Sequence, residues 1–108
     1  MALSYQVVIT PDAQNSIQQI VGALIKEYSL ETAMRVYDAI LDTIESLKTF
    51  PERHDVAINI SKRGIVYRRV MSKSYRIVYT VDKETIQVIV VDVDYGPRNP
   101  ERLVEKLG

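Results

Sequence analysis

Val66-Tyr67-Arg68-Arg69-Val70-Met71 and Tyr75-Arg76-Ile77-Val78-Tyr79-Thr80-Val81, separated only by Ser72-Lys73-Ser74, decide the fold of this chain. Both runs are dense in β-branched and aromatic side chains, which fit a pleated surface better than a helix. A link this short forces the two strands into an antiparallel hairpin. Strand alternation then sorts the side chains. Tyr75, Ile77, Tyr79 and Val81 share one face, and Arg76, Val78 and Thr80 share the other. Arg68 and Arg69 are consecutive and point to opposite faces, so only one of them joins Arg76.

Downstream, Asp82-Lys83-Glu84 makes a second tight turn into a strand over residues 85–93. Residues 86–91 are apolar except Gln87, the composition of an interior strand covered on both faces. That strand ends in Asp92 and Asp94, two acids within reach of Arg76. An arginine inside an apolar strand is costly unless it meets a carboxylate or a ligand. A charge-satisfied sheet is therefore one reading of Arg76, and a binding face is the other. Residues 95–100, Tyr95-Gly96-Pro97-Arg98-Asn99-Pro100, read as a rigid loop, and residues 101–107 as a short terminal helix.

Upstream, residues 56–60 form a short strand leading to the turn Lys62-Arg63-Gly64. Before it the period changes from two to about 3.6. Ala13, Ile17, Ile20, Val21, Leu24, Ile25 and Tyr28 make one apolar stripe. Ala33, Val36, Tyr37, Ile40, Leu41, Ile44 and Leu47 make a second. Thr10-Pro11-Asp12 opens the first helix: threonine caps, proline sits where its missing N–H costs nothing, and aspartate faces the positive helix end. Ser29 caps the second helix, and Phe50-Pro51 ends it. Two amphipathic helices joined by so short a link lie antiparallel. Residues 3–10 precede them as a first strand. The expected fold is α+β: an N-terminal strand, an antiparallel helical hairpin on one face of a twisted, mainly antiparallel sheet, and a short C-terminal helix. The opposite sheet face is expected to be free for binding. No internal repeat or linker interrupts residues 1–108, which read as one domain.

Composition narrows the function classes. The 108 residues contain no cysteine, which excludes disulfides and thiolate metal sites and fits a reducing cytoplasm. One histidine and scattered carboxylates make no metal-ligand set, and no glycine-rich phosphate loop is present, so no metal or cofactor is expected. No apolar run approaches the ~20 residues needed to span a bilayer, and no secretion signal is evident at the N-terminus, so a cytoplasmic protein with no membrane partner is expected. The zero net charge is unevenly spread. Lys62, Arg63, Arg68, Arg69, Lys73 and Arg76 all fall within residues 56–81, where there is no acid. Such a zone suits an anionic partner met on one face, although solvated strand and turn residues would give the same pattern.

The order of these elements resembles the ParE/RelE superfamily of bacterial type II toxins over nearly the whole chain. The features that carry the resemblance are Ile9-Thr10-Pro11 opening a helix and the helix exit Ser46-Leu47-Lys48-Thr49-Phe50-Pro51. To these are added Val66-Tyr67-Arg68-Arg69 followed by Tyr75-Arg76-Ile77-Val78-Tyr79, then the apolar last strand and an arginine-bearing tail. The resemblance implies a growth-inhibiting toxin neutralised in a toxin–antitoxin hetero-oligomer by a cognate antitoxin. Relatives similar to RelE cut mRNA on the ribosome, and for that reaction the matching positions would be Arg76, Arg98 and Lys73 as cations, with Tyr95 as an acid. Relatives similar to ParE poison DNA gyrase and need no catalytic residues.

The long hairpin, the absence of overall basicity and the lack of an evident acid–base pair favour the gyrase branch over an endoribonuclease. Gly96-Pro97 before Arg98 departs from the basic residues common in relatives. The expected target-binding set is Arg68, Arg69, Lys73, Arg76, Tyr95 and Arg98. A third reading is an interaction domain of the same fold without toxicity. His54 is expected to be an exposed loop residue away from the arginine face.

Overall fold

The computed structural model describes residues 4–58 and 64–96. Strand β1 (Gln6–Ile9) leads into helix α1 (Pro11–Glu27), helix α2 (Leu30–Glu45) and two short 3-10 turns, Ser46–Lys48 and Pro51–Arg53. Strands β2 (Val56–Ile58), β3 (Tyr67–Ser72), β4 (Tyr75–Asp82) and β5 (Gln87–Tyr95) follow. They form one five-stranded sheet in the order β1-β5-β4-β3-β2. Every pairing is antiparallel except β1 with β5, which is parallel. The sheet is therefore mixed, with β5 interior as its composition demands. The terminal helix expected over residues 101–107 lies outside the described residues.

Both helix starts behave as their residue types require. The Thr10 hydroxyl accepts from the Ala13 amide at 3.2 Å, and the Ser29 hydroxyl accepts from the Thr32 amide at 3.0 Å. Thr10 also donates to the Val90 carbonyl, which fixes the head of α1 to β5. Helix α2 stops at Glu45, five residues before Phe50-Pro51, where the exposed Ser46 hydroxyl donates back to the Thr43 carbonyl and competes with the helical pattern.

Helix α1 packs on β5 and α2 on β3 and β4. Their stripes meet Ile77, Tyr79, Val88, Val90 and Val93 in the main core, where Ala13, Ile40, Ile44 and Leu47 are also buried. Val90 and Val93 are an odd number of residues apart, yet both reach this core. A bulge explains it: Val78 pairs with Asp92 and Tyr79 with Val90, leaving Val91 as the extra residue that resets the alternation.

The other sheet face is not bare. Ile58, Tyr67 and Val78 form a second buried cluster there, flanked by Ala57, Ile65 and Val91. The expectation of an open face thus holds only beyond this cluster, along the exposed positions of β3.

Three non-glycine residues adopt left-handed backbone: Phe50 (φ 47°), Lys73 (φ 56°) and Ile86 (φ 54°). The conformation costs most for a β-branched side chain such as Ile86. It is held there because the Ile86 carbonyl accepts from the Gln6 amide and so starts the parallel ladder.

Candidate functional site

The sheet separates the arginines that the sequence groups together. Val70 belongs to the helix-side core, so Arg68, two residues before it, faces the same way. Arg68 is half-buried. One of its guanidinium nitrogens donates to the His54 carbonyl at 2.8 Å, and another lies 3.8 Å from a Glu52 carboxylate oxygen. These contacts pin the 3-10 turn Pro51–Arg53 and its flank against β3. Arg68 is thus removed from the expected target-binding face.

Arg69 and Met71 point the opposite way, and both are exposed. Lys73 follows in the exposed β3–β4 turn. Its positive φ stands at the first of two central turn positions, where glycine is usual in a hairpin turn of type II′. Arg69, Met71 and Lys73 therefore make a displayed row along one side of the hairpin.

Arg76 stands opposite Met71 but is only 6% exposed. Its guanidinium donates to Asp94, its direct cross-strand neighbour, at 3.0 Å. Of the two readings the sequence allows for Arg76, the structure adopts the carboxylate-matched one, and the side chain is not displayed. The two acids expected to act together part company at the bulge. Asp92, 1% exposed, accepts from the Ser16 hydroxyl of α1 at 3.0 Å, while Asp94 goes to Arg76.

Tyr95 is half-buried and packs on Tyr75 with ring centroids 5.5 Å apart. Arg98 lies outside the described residues, as do Lys62 and Arg63. Of the cations in the basic zone, Arg69 and Lys73 are the described ones that face outward. No group of three or more His, Cys, Asp or Glu side chains is placed to hold a metal ion among the described residues. No described helix is long and apolar enough to cross a membrane.

His54 differs most from its sequence reading. It is half-buried, with its ring edge-on to Tyr79 at 6.3 Å, and its Nε2 is enclosed with no hydrogen-bond partner among the described residues. Burial lowers its pKa, the Arg53 charge lowers it further, and Asp55 opposes them. Tyr79, whose hydroxyl donates to the Pro51 carbonyl, is pushed up to about 12, mainly by burial. No local pattern in the sequence announces this nest, because it forms only when the turn after α2 folds back under β4.

A pH dependence follows from the lowered His54 pKa. The unfolded chain binds the His54 proton more readily than the folded one, so the contribution is complete above about pH 6.5, the ordinary histidine value. It is lost as pH falls from there through the depressed folded value. The urea midpoint of the protein is expected to drop between pH 7 and pH 5 by more than that of His54→Gln. Equal drops in the two proteins would remove His54 from the acid response.

Residues 7–100 match the family described as ParE toxin of type II toxin–antitoxin system, parDE. Among solved structures, the fold is similar to that of a chromosomal ParDE toxin–antitoxin system from P. aeruginosa. The TM-score there is 0.71 at 10% identity, covering 85% of this chain and 96% of that one. A RelE–RelB complex from Pyrococcus horikoshii OT3 matches with TM-score 0.58 at 20% identity, covering 89% and 99%. The RelBE2 toxin–antitoxin complex from Mycobacterium tuberculosis matches with TM-score 0.56 at 20% identity, covering 86% and 92%. No curated protein matches the chain.

Proposed function

Because the chain belongs to the ParE toxin family of type II toxin–antitoxin systems, we propose that it stops growth by binding and inhibiting DNA gyrase, and that a cognate antitoxin neutralises it. The observation that carries this reading over RNA cleavage is the state of Arg76. A cutting site must aim a cation at the scissile phosphate and place an acid and a base on either side. Here the strand arginine is buried and bonded to Asp94, and the sole histidine lies on the helix side beneath Tyr79. What the outward face presents is Arg69, Met71 and Lys73, a mixture of charge and apolar surface suited to a protein partner. Helices of 17 and 16 residues supply the long hairpin that accompanies the ParE-like branch in the sequence reading.

The contact residues we assign to the target are Arg69 and Lys73 on the outward face; Tyr95 pairs with Tyr75 on the helix side and is not among them. The test uses purified protein in two assays run side by side. In the first, gyrase-dependent supercoiling is expected to fall, or cleaved DNA to accumulate. In the second, mRNA on translating ribosomes is expected to stay intact. Ribosome-dependent cleavage with normal supercoiling would replace this reading by an endoribonuclease. Inactivity in both assays, with normal growth on expression without antitoxin, would leave an interaction domain that lacks toxicity.

A further inference from the structure

The end of the helical hairpin meets the ends of β4 and β5 at a notch of about 210 Å³. Ile20, Ala23 and Leu24 of α1 line it on one side, Tyr75 and Tyr95 on the other, and Tyr28 and Glu27 stand at its mouth. Three of the chain's seven tyrosines converge here, and among the described residues Glu27 is the only charged one in the lining. Tyr28 is 70% exposed, although an aromatic ring closing a helix would ordinarily fold onto apolar neighbours. Tyr75 and Tyr95 pack on each other at a 51° tilt, and both rings line the notch.

Aromatic faces are electron-rich, and a cation within about 6 Å of a ring centroid is drawn to them. A carboxylate beside such rings adds direct attraction for the same charge. An apolar wall suits the methylene stem that leads to a lysine or arginine head group. All three features favour one kind of occupant. We propose that this notch is a cation-binding site that receives an arginine or lysine side chain from a protein partner.

The surroundings favour a protein over a free small cation. Ile25, Leu30 and Met34 are exposed around the hairpin tip next to Tyr28, so an apolar surface adjoins the notch. A partner segment with a basic residue beside apolar ones would cover both. The inference rests on the reading that this chain acts by gripping other proteins, and it does not require that the target be gyrase.

The test has two arms. In the first, N-acetyl-arginine methylamide, its lysine counterpart and its norleucine counterpart are titrated into the full chain while the tyrosine rings are followed by NMR. Both cationic probes are expected to shift Tyr28, Tyr75 and Tyr95 saturably, and the norleucine probe is not. Tyr28→Ala is expected to weaken the cationic probes about 2–5-fold, and Tyr28→Phe to retain them. Equal response to norleucine, or unchanged affinity in Tyr28→Ala, would overturn the assignment. So would binding that emerges only after Arg98, Arg102 and Lys106 are replaced by glutamine, since the notch would then belong to the chain's own tail.

In the second arm, Glu27→Lys reverses the charge at an exposed helix position. It is expected to weaken either growth inhibition or antitoxin affinity by about tenfold with unchanged melting. If neither moves, the protein-partner assignment fails, whatever the supercoiling assay returns.

Discussion

Asp94→Ala is expected to destabilise the protein by about 3–5 kcal/mol, the usual cost of leaving one half of a buried ion pair behind. The two side chains are each 7% exposed and meet at 3.0 Å across adjacent strands. Removing the carboxylate takes the cross-strand ion pair away from a guanidinium that is almost wholly buried. Arg76→Ala is expected to cost a similar amount, since it takes the same ion pair away from the buried Asp94. Replacing both residues with leucine removes the charges together and is expected to return the protein to within about 1–2 kcal/mol of the wild type. Urea denaturation of the four proteins measures all of this. Single variants losing less than about 1 kcal/mol would mean that the pair behaves like an exposed one.

The consequence for function is direct. Against a total stability of about 5–15 kcal/mol, either single loss leaves a marginal fold. Loss of toxicity in Arg76→Ala would then report unfolding, and would say nothing about cleavage. The binding-face reading of Arg76, one of the two the sequence allows, would instead have Arg76→Ala leave the fold intact. The double leucine variant is the discriminating protein. It keeps the sheet, lacks the guanidinium, and under gyrase inhibition should still block supercoiling.

The helices and the β3–β4 hairpin are legible in the sequence because each is decided locally. Thr10-Pro11-Asp12 and Ser29 mark helix starts through bonds to amides three residues away. The turn Ser72-Lys73-Ser74 decides the hairpin in the same way. The end of α2 is less legible, since the bond from Ser46 to Thr43 competes with a helical pattern that continues to Leu47.

The candidate site depends on residues that meet only in three dimensions. Alternation shows that Arg68 and Arg69 part, but not which of them faces the helices. That choice is fixed by Val70 joining the helix-side core and by the carbonyl of His54, fourteen residues away. Likewise Asp92 and Asp94 are two residues apart and look equivalent in the sequence. The bulge at Val91 sends one to Ser16 and the other to Arg76. The convergence of Tyr28, Tyr75 and Tyr95 has no sequence signal beyond an excess of tyrosine over phenylalanine.

Tyr79→Ala is expected to be as damaging as loss of the ion pair, for a different reason. Its ring is fully buried at the centre of the sheet, between β3 and β5, and contributes to the main core. Truncating an aromatic ring in such a place costs about 3–5 kcal/mol through lost transfer energy and the cavity left behind. Tyr79→Phe separates the ring from its hydroxyl. That hydroxyl donates to the Pro51 carbonyl, so the phenylalanine variant keeps the packing and loses one buried hydrogen bond, at about 1–3 kcal/mol.

The two variants should also differ in where they loosen the molecule. Tyr79→Ala weakens the contact between helices and sheet and should lower protection from hydrogen exchange throughout β4. Tyr79→Phe frees the turn Pro51–Arg53, which His54 and Arg68 also hold, and its loss of protection should concentrate in residues 50–55. If Tyr79→Phe proved as unstable as Tyr79→Ala, the hydroxyl bond would be the main brace. If it proved neutral, with protection at residues 50–55 unchanged, the turn would be held by Arg68 and its neighbours alone.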